Sequence, residues 1–308
     1  MGMLDHKIAI VTGAGRGIGR GEALELARQG AAVVVNELDA EAGKSVVEEI
    51  VAAGGQAVAD TGDAADTDAA DAMVATAVER FGGLHALVNN AGILRDRTLA
   101  KMTAAEWDDV IRVHLRGHFA PTRAACGYWR EHGGPGRIVC TASTSGLLGN
   151  FGQSNYGAAK AGIAAFSTIV AQEMAKHGVT CNAIAPAART RMTETTFAAA
   201  FGGGESGFDF WHPDNVAPLV AFLCGDQAGN VSGKVFGVQG DAVELYQPWT
   251  SVAAVENGGA RWEAETLAGR IGELFTAAGV PAEVEPMMLK LRYGLTAAAA
   301  DGNPPSQR

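Results

Sequence analysis

The sequence predicts an α/β protein: a mainly parallel, doubly wound sheet of about seven strands, helices on both faces, and a C-terminal extension. Three observations carry that expectation. Short apolar runs near 7–11, 31–36, 56–60, 86–89, 137–141, 179–184 and 234–238 alternate with helical stretches. Most of these runs are continuously apolar, as strands buried on both faces require. The first run passes straight into a glycine-rich turn and then a helix, an arrangement that suits phosphate binding.

Taken in order, Lys7 to Val11 forms the first strand and leads into Thr12-Gly13-Ala14-Gly15-Arg16-Gly17-Ile18-Gly19. Glycines there let backbone N–H groups approach a phosphate, so Gly13, Gly15, Arg16, Gly17, Ile18 and Gly19 are candidate cofactor contacts. The second strand, Ala31 to Asn36, ends at Glu37. A carboxylate about 20 residues beyond such a turn is placed for the adenosine ribose hydroxyls. It would repel a 2′-phosphate and so favours NAD over NADP, whereas Arg16 pulls the other way. Thr103-Ala104-Ala105-Glu106 reads as a capping box opening a helix that carries His114.

After the fifth strand comes Ser143, thirteen residues before Tyr156 and seventeen before Lys160. Four residues are about one helical turn, so the phenol and the ammonium share a face. An ammonium near a phenol favours the phenolate, so Tyr156 is expected to titrate nearer neutrality than its usual value of about 10. Ser143 is placed to hold the reacting oxygen, with Ser145 assisting. Residues 188–212 interrupt the alternation: Arg189 to Phe201 reads as helical and Gly202-Gly203-Gly204 breaks it, so that 202–207 reads either as the glycine hinge of a closing lid or as a disordered loop. The dinucleotide domain spans 1–241 and the extension 242–295, with helical spacing from Trp262 to Phe275. Residues 296–308 read as a mobile tail.

These motifs, together with Asp63 after the third strand and Asn89-Asn90-Ala91-Gly92 after the fourth, resemble the short-chain dehydrogenase/reductase family over roughly residues 4 to 240. The resemblance implies a Rossmann-like fold, a nicotinamide cofactor and hydride transfer at an alcohol or ketone. It implies that Asp63, with Ala64, lies at the adenine and that Asn90, Ala91 and Gly92 support the cofactor. It also implies that Lys160 binds the nicotinamide ribose beside Tyr156. Pro186 would border the nicotinamide; where the family has Pro-Gly this chain has Pro186-Ala187, and Thr190 is a candidate for the cofactor amide.

Segments 90–98, 112–119, 149–156 and 181–186 resemble, more narrowly, the dehydrogenase units of peroxisomal multifunctional enzymes of type 2 and free-standing bacterial relatives. That implies NAD-dependent oxidation of (3R)-hydroxyacyl-CoA thioesters, from fatty or sterol side chains, with hydroxysteroid dehydrogenation also associated with the group. One departure from the broad family is His114, where an asparagine is usual. The asparagine leaves its main-chain carbonyl free to hold a water linked to the lysine. A histidine can do the same if the helix is distorted there, or can shuttle protons itself with a usual pKa of about 6.5. His118 and the remaining histidines read as structural or solvated.

Composition agrees. Of 308 residues, 47% are hydrophobic but only 6% aromatic, which suits a core of Val, Ile, Leu and Ala. The formal charge of −10 argues against a nucleic-acid partner. It leaves room for an acyl-CoA or steroid substrate, with Arg95, Arg97, Lys101, Arg189 and Arg191 as candidates for the phosphates. Cys126, Cys140, Cys181 and Cys224 show neither disulfide nor metal spacing, so no metal is expected. There is no membrane-length apolar run and no secretion signal, and the terminal Ser-Gln-Arg is not a peroxisomal address; a cytoplasmic homodimer or homotetramer is the expectation. Three alternatives stand beside it: an NADPH-dependent 3-oxoacyl reductase, a hydroxysteroid dehydrogenase acting on free steroids, and a non-catalytic dinucleotide-binding protein.

Overall fold

The structure, a computed structural model, describes residues 2–190, 208–247 and 249–290. Eight strands form one sheet in the order β3-β2-β1-β4-β5-β6-β7-β8. They are β1 (Ile8–Thr12), β2 (Ala32–Asn36), β3 (Gln56–Asp60), β4 (Ala86–Asn89), β5 (Arg137–Thr141), β6 (Thr180–Ala187), β7 (Val235–Gln239) and β8 (Ala242–Tyr246). The first seven are parallel, and β8 returns antiparallel to β7, with Val238 opposite Val243. The extension expected from residue 242 therefore begins as an eighth strand.

The apolar runs form strands because each has a core on both sides. On β1, Ile8 and Ile10 face one cluster while Ala9 and Val11 face the other. The first cluster is closed by α3 (Thr67–Phe81), α5 (Gly117–His132) and α7 (Ser154–Met174), with Met73, Trp129 and Ile163 at its centre. The second is closed by α1 (Gly17–Arg28), α2 (Ala40–Ala52) and helix Ala217–Cys224, which contribute Leu26, Ile50 and Val220. Because parallel crossovers are right-handed, the reversal of strand order between β1 and β4 puts helices on both faces, and a crevice opens at that point.

Two shorter elements position the site. Helix α4 (Ala104–Ile111) starts at the Thr103–Glu106 capping box, in which the Thr103 N–H donates to Glu106 Oε2 at 2.8 Å. It continues through a π-helical turn, Arg112–Arg116, into α5. Helix α6 (Thr144–Leu148) is capped by the Ser143 hydroxyl, which accepts the Ser145 N–H at 3.1 Å. It crosses α7 at Gly146, where a Cβ would lie 2.5 Å from the Ala161 nitrogen.

Of the interruption at 188–212, residues 191–207 lie outside the described residues, as does the tail 296–308. The described return, 208–212, is tied to the site: Arg189 donates its N–H to the Trp211 carbonyl at 2.7 Å. Helices Ala264–Arg270 and Gly272–Ala278 occupy the stretch with helical spacing after Trp262. The extension is largely exposed until Met287, which is buried in a short helix, Met287–Lys290.

Candidate active site

A cleft of about 440 Å³ opens at the carboxyl ends of β1, β4 and β5. Its walls hold the glycine turn at one end and Ser143, Tyr156 and Lys160 at the other. Every residue named above for catalysis or dinucleotide binding lines it except Gly15, whose N–H donates to Glu37 Oε2 at 3.1 Å and so shapes the turn from behind.

The turn is built by backbone economy. Gly13 has φ of +63°, a left-handed conformation that other residues rarely adopt. At Gly19 a Cβ would lie 2.3 Å from the Gly13 carbonyl. Thr12 anchors the turn to β4: its hydroxyl accepts the N–H groups of Asn90 and Ala91 at 3.0 and 3.2 Å. Asn90 Nδ2 in turn donates to the carbonyls of Thr12 and Gly13, each at 3.1 Å. Helix α1 begins without a side-chain cap, so its first N–H groups remain for an anion. These residues fit a dinucleotide pyrophosphate.

At the far end of the turn, Glu37 Oε1 accepts the Asp39 N–H at 3.2 Å. Asp39 is a residue the sequence reading missed. Its carboxylate meets the Arg16 guanidinium at 2.5 Å, which holds Asp39 below the usual carboxylate range and raises Arg16. Asp63 pairs with Arg112 at 2.6 Å and also accepts the Ala65 N–H. Partial burial would raise its pKa, but these two contacts outweigh it and Asp63 lies below the ordinary range.

Around the chemical end, the structure corrects one expectation. Tyr156 is not drawn toward neutrality: burial of its hydroxyl pushes it up to about 12, with Asp96 adding to the rise and a hydrogen bond from Ser143 opposing it. Lys160 carries the larger consequence, because burial lowers it to about 7 while Cys140 and Glu22 resist. The helical spacing does bring the two side chains together, with Nζ 5.6 Å from the phenol ring centre. The ammonium, however, donates to the Thr141 carbonyl at the end of β5.

His114 sits in the π-helical turn, so the helix is distorted where the relay requires it. Its ring stands edge-on to Tyr156 at 5.1 Å and packs on Gly92, where a Cβ would come within 2.4 Å of Cε1. Burial, with Lys160 nearby, pushes His114 down to about 3 despite a 2.7 Å contact with the Ile93 carbonyl. The imidazole therefore stays neutral near pH 7 and does not shuttle protons by charging. Its carbonyl is engaged by His118 Nδ1 at 2.7 Å.

Three further residues close the cleft without having been read from the sequence. Gln153 donates to Asp96 at 2.8 Å beside Tyr156. Trp211 and Met287 add apolar wall from the far side of the interruption and from the extension. Of the basic candidates for phosphates, Arg97 pairs with Glu106 at 2.9 Å, Arg95 approaches Asp109 at 3.8 Å, and Arg189 pairs with Asp209. Lys101 is exposed, and Arg191 lies outside the described residues. The four cysteines are free, and no cluster with metal-ligand character occurs among the described residues. Nor is any described helix long and apolar enough to cross a membrane.

Residues 7–200 match the family model of the short chain dehydrogenases. The chain is 45% identical to the hydroxyacyl-CoA dehydrogenase ChsB1 of Mycobacterium tuberculosis, over 88% of this chain and 89% of that one. It is 43% identical to the peroxisomal multifunctional enzyme type 2 of Mus musculus, over 71% of this chain but 30% of that longer protein. Its fold overlays a crystal structure of a short chain dehydrogenase from Mycobacterium avium with a TM-score of 0.84 and 47% identity, covering 92% and 99% of the two chains.

Proposed function

The chain belongs to the short chain dehydrogenase family, and from that premise we propose that it oxidises a (3R)-hydroxyacyl-CoA thioester to the 3-oxoacyl-CoA with NAD. The observation carrying the reading is the placement of Tyr156, hydrogen-bonded by Ser143, in the same cleft as the dinucleotide-shaped glycine turn. The 45% identity to a hydroxyacyl-CoA dehydrogenase favours this substrate class.

In this reading Ser143 holds the substrate oxygen and Tyr156, as the phenolate, accepts the hydroxyl proton at Oη. A nicotinamide dinucleotide, when bound, supplies the hydride acceptor. Lys160, tethered by Thr141, supplies the positive charge that stabilises this phenolate before it takes the proton. Burial that raises Tyr156 and lowers Lys160 also keeps bulk water from competing for the proton. Apolar side chains of Ile93, Leu94, Val113, Trp211 and Met287 form the wall for the acyl group.

NAD is favoured because Arg16 is held by Asp39 beside Glu37, so the cation that would welcome a 2′-phosphate is already matched. A homodimer or homotetramer through α4, α5 and α7 belongs to the same reading, supported by exposed Trp107, Phe119 and Ile169 on those helices.

The test is NADH formation by purified protein with NAD and, separately, (3R)- and (3S)-hydroxyacyl-CoA, including a steroid side-chain thioester. Turnover of the 3R epimer alone is the expected result. Silence on both epimers with NAD binding intact sinks the thioester assignment and redirects the search to free steroids. Faster reduction of a 3-oxoacyl thioester with NADPH than with NADH would favour the reductase alternative.

A further inference from the structure

His118 follows His114 by one helical turn and is wholly buried. Its imidazole is bonded on both sides. Nε2 receives the Thr141 main-chain N–H at 3.2 Å, and an amide N–H only donates. Nε2 is therefore unprotonated. The ring proton sits on Nδ1, which donates to the His114 carbonyl at 2.7 Å. The two contacts select one neutral tautomer, since an imidazolium would set N–H against N–H at Thr141.

Thr141 joins this pair to the chemistry. Its N–H meets His118, its carbonyl receives the Lys160 ammonium, and Ser143 follows two residues later. A continuous path thus runs from the π-helical turn through His118 to the strand end that holds the lysine. The ionisable groups acting on His118 are Lys160 from α7 and His114 from its own helix, both of which oppose a second proton on the ring. The Asn89 carbonyl of β4 favours that proton, and burial outweighs it.

We propose that His118 is a positioning residue for Lys160: as the Nδ1-protonated tautomer it fixes the end of β5, and through it the place of the ammonium beside Tyr156. The inference rests on the dehydrogenase reading above for its kinetic consequence, though not for its geometry. It revises the relay expected at His114, because one lone pair of that carbonyl is already taken by His118. A displacement of about 1 Å in a catalytic group costs on the order of 100-fold in rate, so a side chain that touches no substrate can still set turnover.

The experiment compares His118→Phe, His118→Gln and His118→Asn with the full-length wild type. Gln can reach the Thr141 N–H with its carbonyl oxygen, whereas Asn can reach only the His114 carbonyl. With NAD and (3R)-hydroxyacyl-CoA, His118→Phe and His118→Asn are expected to lose at least about tenfold in kcat. The acid limb of their kcat/KM profile should move to higher pH, because the phenolate loses part of its cation. His118→Gln should restore most of both. A purely structural role would lower Tm in step with activity, leave the pH profile in place and show no advantage of Gln over Asn; that pattern overturns the proposal. ¹⁵N NMR of the imidazoles provides a readout independent of turnover: the Nδ1–H form of His118 is expected, and an Nε2–H form or an imidazolium near pH 7 refutes the geometry. Wild type inactive on every alcohol, with the Nδ1–H signature present, would refute the functional reading and spare the bridge.

Discussion

Glu22 sits on α1 with no exposed surface, and neither of its carboxylate oxygens has a hydrogen-bond partner. Burial raises it from 4.5 to about 8, with Lys160 only partly opposing. Between those values the folded state binds a proton that the unfolded state does not, so stability falls as pH rises through this window. At about 1.4 kcal/mol per unit the loss reaches at most about 5 kcal/mol above pH 8. Glu22→Gln should therefore match wild type in urea unfolding near pH 4.5 and be the more stable of the two at pH 9; equal stability at pH 9 would mean that the carboxylate is solvated there. Arg16 offers a second test. Asp39→Asn keeps the cap on α2, where Asp39 accepts the Ala42 N–H, but uncharges the partner of Arg16. We expect the KM for NADP to fall by about tenfold, equivalent to about 1.4 kcal/mol, with the KM for NAD little changed. The protonation of Tyr156 was not legible in the sequence because helical spacing fixes which face a side chain leaves from and not which carbonyl its end will find. Lys160 finds Thr141.

Among the elements, the start of α4 links the helix ends to the site. Glu106, which closes the capping box, also pairs with Arg97, whose N–H donates to the Gly152 carbonyl at 2.8 Å, just before α7 and Tyr156. Thr103→Ala removes the cap and should cost about 1 kcal/mol of stability. Because Glu106 retains its hold on Arg97, kcat at 25 °C should stay within about twofold of wild type; a larger fall in kcat would mean that the cap itself sets the position of Tyr156. The parallel strands, the glycine turn and this capping box could be read from the chain because each is a local pattern. Strand β8 could not be read by the same criterion. It is an edge strand whose Val243 and Leu245 face outward, and its mixed Ala-Val-Glu-Leu-Tyr does not resemble a strand covered on both faces. The π-helical turn at Arg112–Arg116 also left no local signature, since what holds it is the distant contact of His114 with Ile93 and the bond from His118.

For the whole molecule, the extension after β8 adds little to the two cores, yet it delivers Met287 to the cleft wall. A chain ending at residue 247 should keep the sheet, with Tm within about 2–4 °C of the full chain, a loss near 1 kcal/mol or less. NAD affinity measured by fluorescence should be unchanged, while KM for the acyl substrate rises. Loss of NAD binding would instead place the extension in the dinucleotide site. The strand order has a consequence for how the protein is made. Residues 8–89 complete the half-sheet β3-β2-β1-β4, and every later strand joins at one growing edge in the order in which it leaves the ribosome: β5 on β4, β6 on β5, β7 on β6, β8 on β7. No strand waits for a partner not yet synthesised once β4 has emerged. At each stage of translation the only new unpaired edge is the newest one, and β8, the one antiparallel strand of the sheet, is the strand that finally occupies it.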